Sequence, residues 1–169
     1  MKPLISNYKV DFNEIRRLAL ICHGLDLTTN SFSKGESEIV LSENLENSLQ
    51  LLISSNLLNL AIAIRVNIYQ SNISSPHFKI KEGATIYYDD ASPLIESPAT
   101  LKQVCDKIIH ADTVEKLIYP KELVPVDCKV TLQLKGKERN RKWTLNLVLE
   151  IFTEQLLKTL DNLETKINH

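Results

Sequence analysis

Glycine, cysteine and net charge are all in short supply in this chain, and each shortage removes a class of explanation. Four glycines in 169 residues, at positions 24, 35, 83 and 136, stand too far apart for a G-x-G-x-x-G turn or a P-loop, so no backbone cradle for a nucleotide phosphate is encoded. The G-x-S-x-G elbow is also missing, which leaves Ser/His/Asp catalysis without an anchor. Three cysteines, Cys22, Cys105 and Cys128, are widely spaced, odd in number and include no C-x-x-C pair. They read as reduced thiols of a cytoplasmic protein. No His/Cys/carboxylate set falls at zinc or iron spacing along the chain, so neither a metal nor another cofactor is expected. Twenty basic against 21 acidic residues leave a formal charge of -1, so a nucleic-acid partner would have to be met by a local patch. The N-terminus lacks the basic, apolar and small-residue succession of a secretory leader. The longest apolar stretch, Leu57 to Ile64, is interrupted by Asn59, followed by Arg65 and far shorter than the roughly 20 residues of a membrane span. No membrane partner is expected.

What is present suits one helical domain over residues 1–169. An apolar content of 43% is ample for a core, and scarce glycine disfavours a turn-rich all-β fold. Asp11, with Glu14 three residues later, caps a first helix whose buried stripe is Ile15, Leu18, Cys22 and Leu25. Gly24 and the Thr28-Thr29-Asn30 run are expected to end it, with a polar loop over 28–38. A long second helix runs from about Ser42 to Tyr69, with Leu45, Leu49, Leu52 or Ile53, Leu57, Leu60, Ile64 and Ile68 at helical spacing. Breakers between Ser71 and Ser97 exclude another long helix, though Ala84 to Tyr88 can form a short strand. Ser97-Pro98 is a start signal for a short third helix. Val130, Leu132 and Leu134, then Trp143, Leu145 and Leu147, alternate with polar residues and predict a β-hairpin with one buried face. A final helix carries Leu149, Phe152, Leu156, Leu160 and Leu163 as its stripe. The expected fold class is therefore mainly α, a bundle of about four helices with a β-hairpin inserted before the last.

Chemistry concentrates on the third helix, Leu101 to Ala111. Lys102, Asp106 and His110 fall near one face, and Leu101, Val104, Cys105 and Ile108 on the other. Asp106 stands one turn before His110, where a carboxylate can orient an imidazole; equally, a histidine at a helix C-terminus is favoured by the dipole alone. Arg65, beside Leu60-Ala61-Ile62-Ala63-Ile64, must reach water or a carboxylate, because an unpaired buried guanidinium costs several kcal/mol. It is read as a structural ion pair between helices or, if it meets Asp106 and His110, as a phosphate ligand. The segment from Lys135 to Lys142 holds five cations against one anion, and Lys137, Arg139 and Arg141 can contact nucleic-acid phosphates. A charged hairpin end is also an ordinary solubility device, and alternation assigns Trp143 to the core. His23 beside Cys22 reads as helix packing, since adjacent side chains diverge by about 100°. His77 falls in a loop and His169 is terminal.

The segment Cys105-Asp106-Lys107-Ile108-Ile109-His110-Ala111 resembles the R-N-K-I-x-H helix of the HEPN superfamily, and is similar to a C-N-K-I-I-H-A signature of small bacterial proteins. The order of the Ala61-to-Arg65 helix, the Lys142-Trp143 strand and the apolar last helix matches that second group. The resemblance implies a helical, homodimeric protein, and it implies RNA cleavage without metal in a toxin-antitoxin or phage-defence setting. By position, His110 takes the place of the catalytic histidine and Asp106 that of the polar residue that often follows the motif's arginine. Gln103, Val104 and Cys105 fill the arginine slot, leaving Arg65, Lys107, Lys137, Arg139 and Arg141 as candidate phosphate ligands. Lys is not an equivalent bidentate donor. Two functions are expected: a HEPN-like RNA-binding or RNA-cleaving dimer, or a non-catalytic helical module that binds a partner protein or a second copy.

Overall fold

The computed structural model describes residues 11–34, 38–40, 42–69, 78–89, 99–116 and 131–167. His77, Cys128, Val130, His169, the Ser97-Pro98 start signal and most of the Ser71-to-Ser97 stretch lie outside them. Four helices are described: α1 (Phe12–Lys34), α2 (Glu43–Ile64), α3 (Leu101–Ile109) and α4 (Leu149–Ile167). Four strands accompany them: β1 (Ala84–Tyr88), β2 (Thr113–Lys116), β3 (Thr131–Glu138) and β4 (Arg141–Val148). Mainly α is therefore right, but the expected hairpin is not a lone insertion. β3 and β4 are the central pair of an antiparallel sheet in the order β1-β4-β3-β2. The difference has a physical reason: an isolated two-stranded hairpin is marginal in water, and flanking strands complete its hydrogen bonding. β2 has too short an alternation, Thr-Val-Glu-Lys, to announce itself.

The helix boundaries follow local chemistry. Asp11 accepts from the Glu14 backbone N–H at 3.0 Å, the expected start of α1. The helix then continues through Gly24 instead of stopping. A glycine in a helix interior costs only about 1 kcal/mol relative to alanine, and beyond it the helix buries Asp26 and Thr29, whose hydroxyl donates to the Leu25 carbonyl at 2.6 Å. Ser42 caps α2. At its far end the helix widens into one π turn, Arg65–Tyr69. Within that turn Asn67 is buried, donates to the Ala63 carbonyl at 2.9 Å and accepts from the Asp11 N–H at 2.8 Å, joining the end of α2 to the start of α1. α3 starts later than the Ser-Pro signal, at a capping box in which Thr100 and Gln103 satisfy each other's backbone N–H groups.

One apolar cluster joins all four helices to the sheet. Ile15, Leu18 and Cys22 of α1, Ile53, Leu57, Leu60 and Ile64 of α2, Leu101, Val104 and Cys105 of α3, and Phe152, Leu156 and Leu160 of α4 are buried together. Leu132, Leu134, Trp143, Leu145 and Leu147 complete it from the sheet, confirming the core assignment of Trp143. Each such side chain contributes about 1.5–3 kcal/mol by leaving water. The continuous helix from Glu43 to Tyr69 is long and apolar enough to cross a membrane by length and composition alone. Its inner residues Leu49, Ile53, Leu57, Leu60, Ala61 and Ile64 are buried in the fold, and 39% of its apolar window is buried.

Candidate functional site

Three of the candidate residues meet partners where α3 docks. The π turn carries Arg65 to α3, where its Nε lies 3.0 Å from Asp106 Oδ1 and its guanidinium carbon 5.5 Å from the Tyr69 ring centroid. Both partners of the ion pair are partly exposed. Arg65 thus pairs with a carboxylate of a neighbouring helix, and that carboxylate is Asp106. Tyr69 is half-buried beside them; burial, with the neighbouring Cys105 thiol as the next cause, pushes its phenol up to about 12. Burial likewise pushes the Cys105 thiol well up, so it offers no thiolate nucleophile.

His110 is the C-cap of α3, with its side chain exposed. Its backbone N–H donates to the Asp106 carbonyl at 3.1 Å, while the Asp106 carboxylate is turned to Arg65. An Asp106-to-His110 orienting pair is therefore not what this geometry builds. The α3 terminus instead abuts the hairpin at Gly136: a Cβ there would overlap the Trp143 indole and come within 2.9 Å of the His110 carbonyl oxygen. Only glycine permits that approach.

Lys107 is the surprise. Although charged, it is 7% exposed. Its Nζ lies 2.7 Å from Glu138 Oε2, 4.8 Å from the Trp143 ring centroid and 5.2 Å from that of Tyr88. The hydrogen bond from Lys107 holds the Glu138 carboxyl below the usual carboxylate range. Arg141 stacks on Tyr88, 4.6 Å from the ring centroid. Lys107 therefore pins α3 under the hairpin tip, its charge already satisfied by one carboxylate and two aromatic faces. The apolar neighbours Val104 and Ile108 were the sequence signal that this lysine sits on the flank of the buried face.

The cations at the tip sit differently. Arg139 and Asn140 form a two-residue turn, with Arg139 at a φ of 56°. Strand register sorts the remainder. Lys137 and Lys142 are directly opposed cross-strand partners, so they share the face away from the core. Behind them on that face come Tyr87, Thr144 and Lys135 in one row, and Thr85, Asn146 and Gln133 in the next. Gln133 donates to Asn146 at 3.1 Å, and Lys135 pairs with Glu115 at 3.1 Å. Among the described residues, no carboxylate pairs with Lys137 or Lys142. Tyr87, the polar rows and the direct opposition of Lys142 to Lys137 were missed from sequence, since they need the strand register to come together.

Among the described residues, one metal-competent group lies elsewhere: His23 of α1 with Glu150 and Glu154 of α4. Linear spacing cannot show it, because its members come from the first and last helices. No family model matches the chain, nor does any curated protein or solved structure.

Proposed function

We propose that this chain is a HEPN-like RNA-binding protein that engages single-stranded RNA across the polar face of its sheet and the hairpin tip. The observation that carries the reading is the opposed pair Lys137 and Lys142. Like charges directly across an antiparallel pair destabilise a sheet by up to about 1 kcal/mol, and a bound phosphate reverses the sign of that contribution. Arg139 extends the basic surface into the turn, Arg141 lies on the opposite face of the strand against Tyr88, and Tyr87 supplies an aromatic side chain on the same face as Lys137 and Lys142 for base stacking. Arg65 and Lys107 belong to the frame instead, each held by a carboxylate.

The HEPN ancestry rests on the Cys105-to-Ala111 segment. Within this reading the chain binds RNA without cleaving it: Gln103, Val104 and Cys105 fill the arginine slot, and Asp106 is committed to Arg65. A cytoplasmic location and a toxin-antitoxin or defence setting belong to the same reading. The test is fluorescence anisotropy with a labelled unstructured RNA, together with gel analysis of that RNA after long incubation. Binding that weakens about tenfold in the Lys137→Ala/Lys142→Ala double variant, with the RNA intact, supports the reading. Cleavage by the wild type that disappears in His110→Ala would replace it with a ribonuclease.

A second reading has its own observation. Leu51, Leu58 and Ile62 recur on one outward stripe of α2 and are 72%, 39% and 43% exposed. That stripe suits a non-catalytic module that pairs with a second copy. Sedimentation over a concentration series, repeated with Leu58→Glu, tests it: a dimer lost in the variant supports this reading, and a monomer at all concentrations ends it.

A further inference from the structure

Helices α1 and α4 run antiparallel and are stitched twice along one seam. At the first stitch Arg16 reaches both Asp161, at 2.9 Å, and Glu164. About two turns further along α1, and about three turns back along α4, His23 meets Glu150 and Glu154. The two stitches share a plan, one basic side chain from α1 facing two carboxylates of α4, but their chemistry differs. A guanidinium has only donors, whereas a neutral imidazole presents a lone pair that can ligate a metal.

The distances separate the two cases further. His23 Nε2 lies 3.7 Å from Glu154 Oε1, too long for a hydrogen bond. It is the right separation for two ligands sharing one ion, because donors about 2.0–2.2 Å from a metal stand roughly 3–4 Å apart. All three ligand atoms lie within 4.8 Å of one another. Glu150 and Glu154 occupy i and i+4 positions of α4 and so project from one face towards α1. His23 is 25% and Glu154 46% exposed, which gives an ion access and leaves room for water to complete its coordination.

We propose that His23, Glu150 and Glu154 bind one divalent transition-metal ion, with zinc the reference ion, which clamps the first helix to the last. One imidazole and two carboxylates make a borderline donor set that favours zinc, cobalt, manganese or ferrous iron over magnesium and calcium, whose sites are built from oxygen alone. The site is remote from the basic tip. The strand residues between Arg141 and Glu150 span roughly 24 Å at 3.3–3.4 Å each, so the clamp does not depend on the RNA-binding reading.

The probe is Co²⁺, titrated into the full chain and followed by its visible absorption, with Zn²⁺ competition reporting affinity. One equivalent is expected to bind through nitrogen and oxygen, without the intense thiolate band that cysteine ligation produces, and to be displaced by Zn²⁺ but not by Mg²⁺. His23→Gln and Glu154→Gln should each weaken binding at least tenfold with unchanged far-ultraviolet circular dichroism. Asp161→Asn, which breaks the other stitch of the same seam, should leave affinity within twofold. The proposal is overturned if the wild type binds no Co²⁺ at 100-fold excess, if both ligand variants bind as tightly as the wild type, or if Asp161→Asn loses as much affinity as they do. The last result would show that affinity follows helix packing and not these ligands.

Discussion

The two ends of the β3–β4 hairpin have opposite electrical characters. At the tip, Lys137, Arg139, Arg141 and Lys142 crowd around one turn, with Glu138 drawn aside to Lys107. At the base, β4 passes directly into α4, whose first turns bring Glu150 and Glu154 up to His23. A formal charge of -1 for the chain conceals this separation completely. Net charge governs long-range association, but recognition of a phosphate or a cation is set within a Debye length of about 8–10 Å. On that scale the tip is basic, while the base presents two carboxylates beside an imidazole.

Breaking the frame under the tip should have the largest effect. Gly136→Val drives a branched side chain into the Trp143 indole and the His110 carbonyl, and should cost about 3 kcal/mol or more in urea unfolding. RNA binding should fall with it, whereas Co²⁺ binding at the base should survive in the fraction that remains folded. Removing tip charge without touching the frame isolates the other contribution. Lys137→Ala/Lys142→Ala should leave stability unchanged or slightly raised, since a like-charge pair is relieved, while RNA affinity drops about tenfold at low salt.

The Arg65–Asp106 pair sharpens the distinction between frame and surface. A double-mutant cycle with Arg65→Met and Asp106→Asn should return a coupling of about 0.5–1 kcal/mol, as partly exposed pairs do, with RNA affinity moved less than twofold. A large change in RNA affinity would place Arg65 on the binding surface after all.

The acid limb of stability offers a finer test. Because Lys107 lowers the folded-state carboxyl of Glu138, this contribution is complete above the ordinary value of 4.5 and is lost as the pH falls through the lowered value. In Lys107→Met that loss should shrink to what Arg139 and Arg141 contribute, so urea midpoints measured across pH 5 to roughly 3 should fall less steeply than in the wild type. Equal slopes would mean that Lys107 and Glu138 do not interact in solution.

How much of this was legible in the sequence depended on distance along the chain. The stripes Leu149-Phe152-Leu156-Leu160-Leu163 and Leu49-Ile53-Leu57-Leu60-Ile64 are local periodicities, and the helices stand where those periods place them. The Trp143-Leu145-Leu147 alternation identified both a strand and its buried face. Gly24 misled because propensity is a small term, about 1 kcal/mol, set against tertiary burial further along α1. β2 was silent because four residues hold too little pattern, and its place is secured by β3 rather than by its own composition. At the candidate site, the basic tip was visible as a run of charge. That Lys107 is sealed beneath it, that Asp106 turns to Arg65 instead of His110, and that Tyr87 shares a face with Lys137 and Lys142 are products of register and docking. The same holds for His23, Glu150 and Glu154, whose meeting depends on how the first and last helices pack.

We propose that the tip and the outer sheet face form a phosphate-binding surface. It is tested most directly by the salt dependence of binding to an unstructured single-stranded RNA, compared between wild type and Lys137→Ala/Lys142→Ala. Each neutralised phosphate contributes about 0.7 to the slope of log K against log salt on single strands. The wild type should bind with a clear negative slope, and the double variant with one shallower by about 1.4. Wild-type binding that is absent at low salt, or a slope identical in the two proteins, would contradict the account.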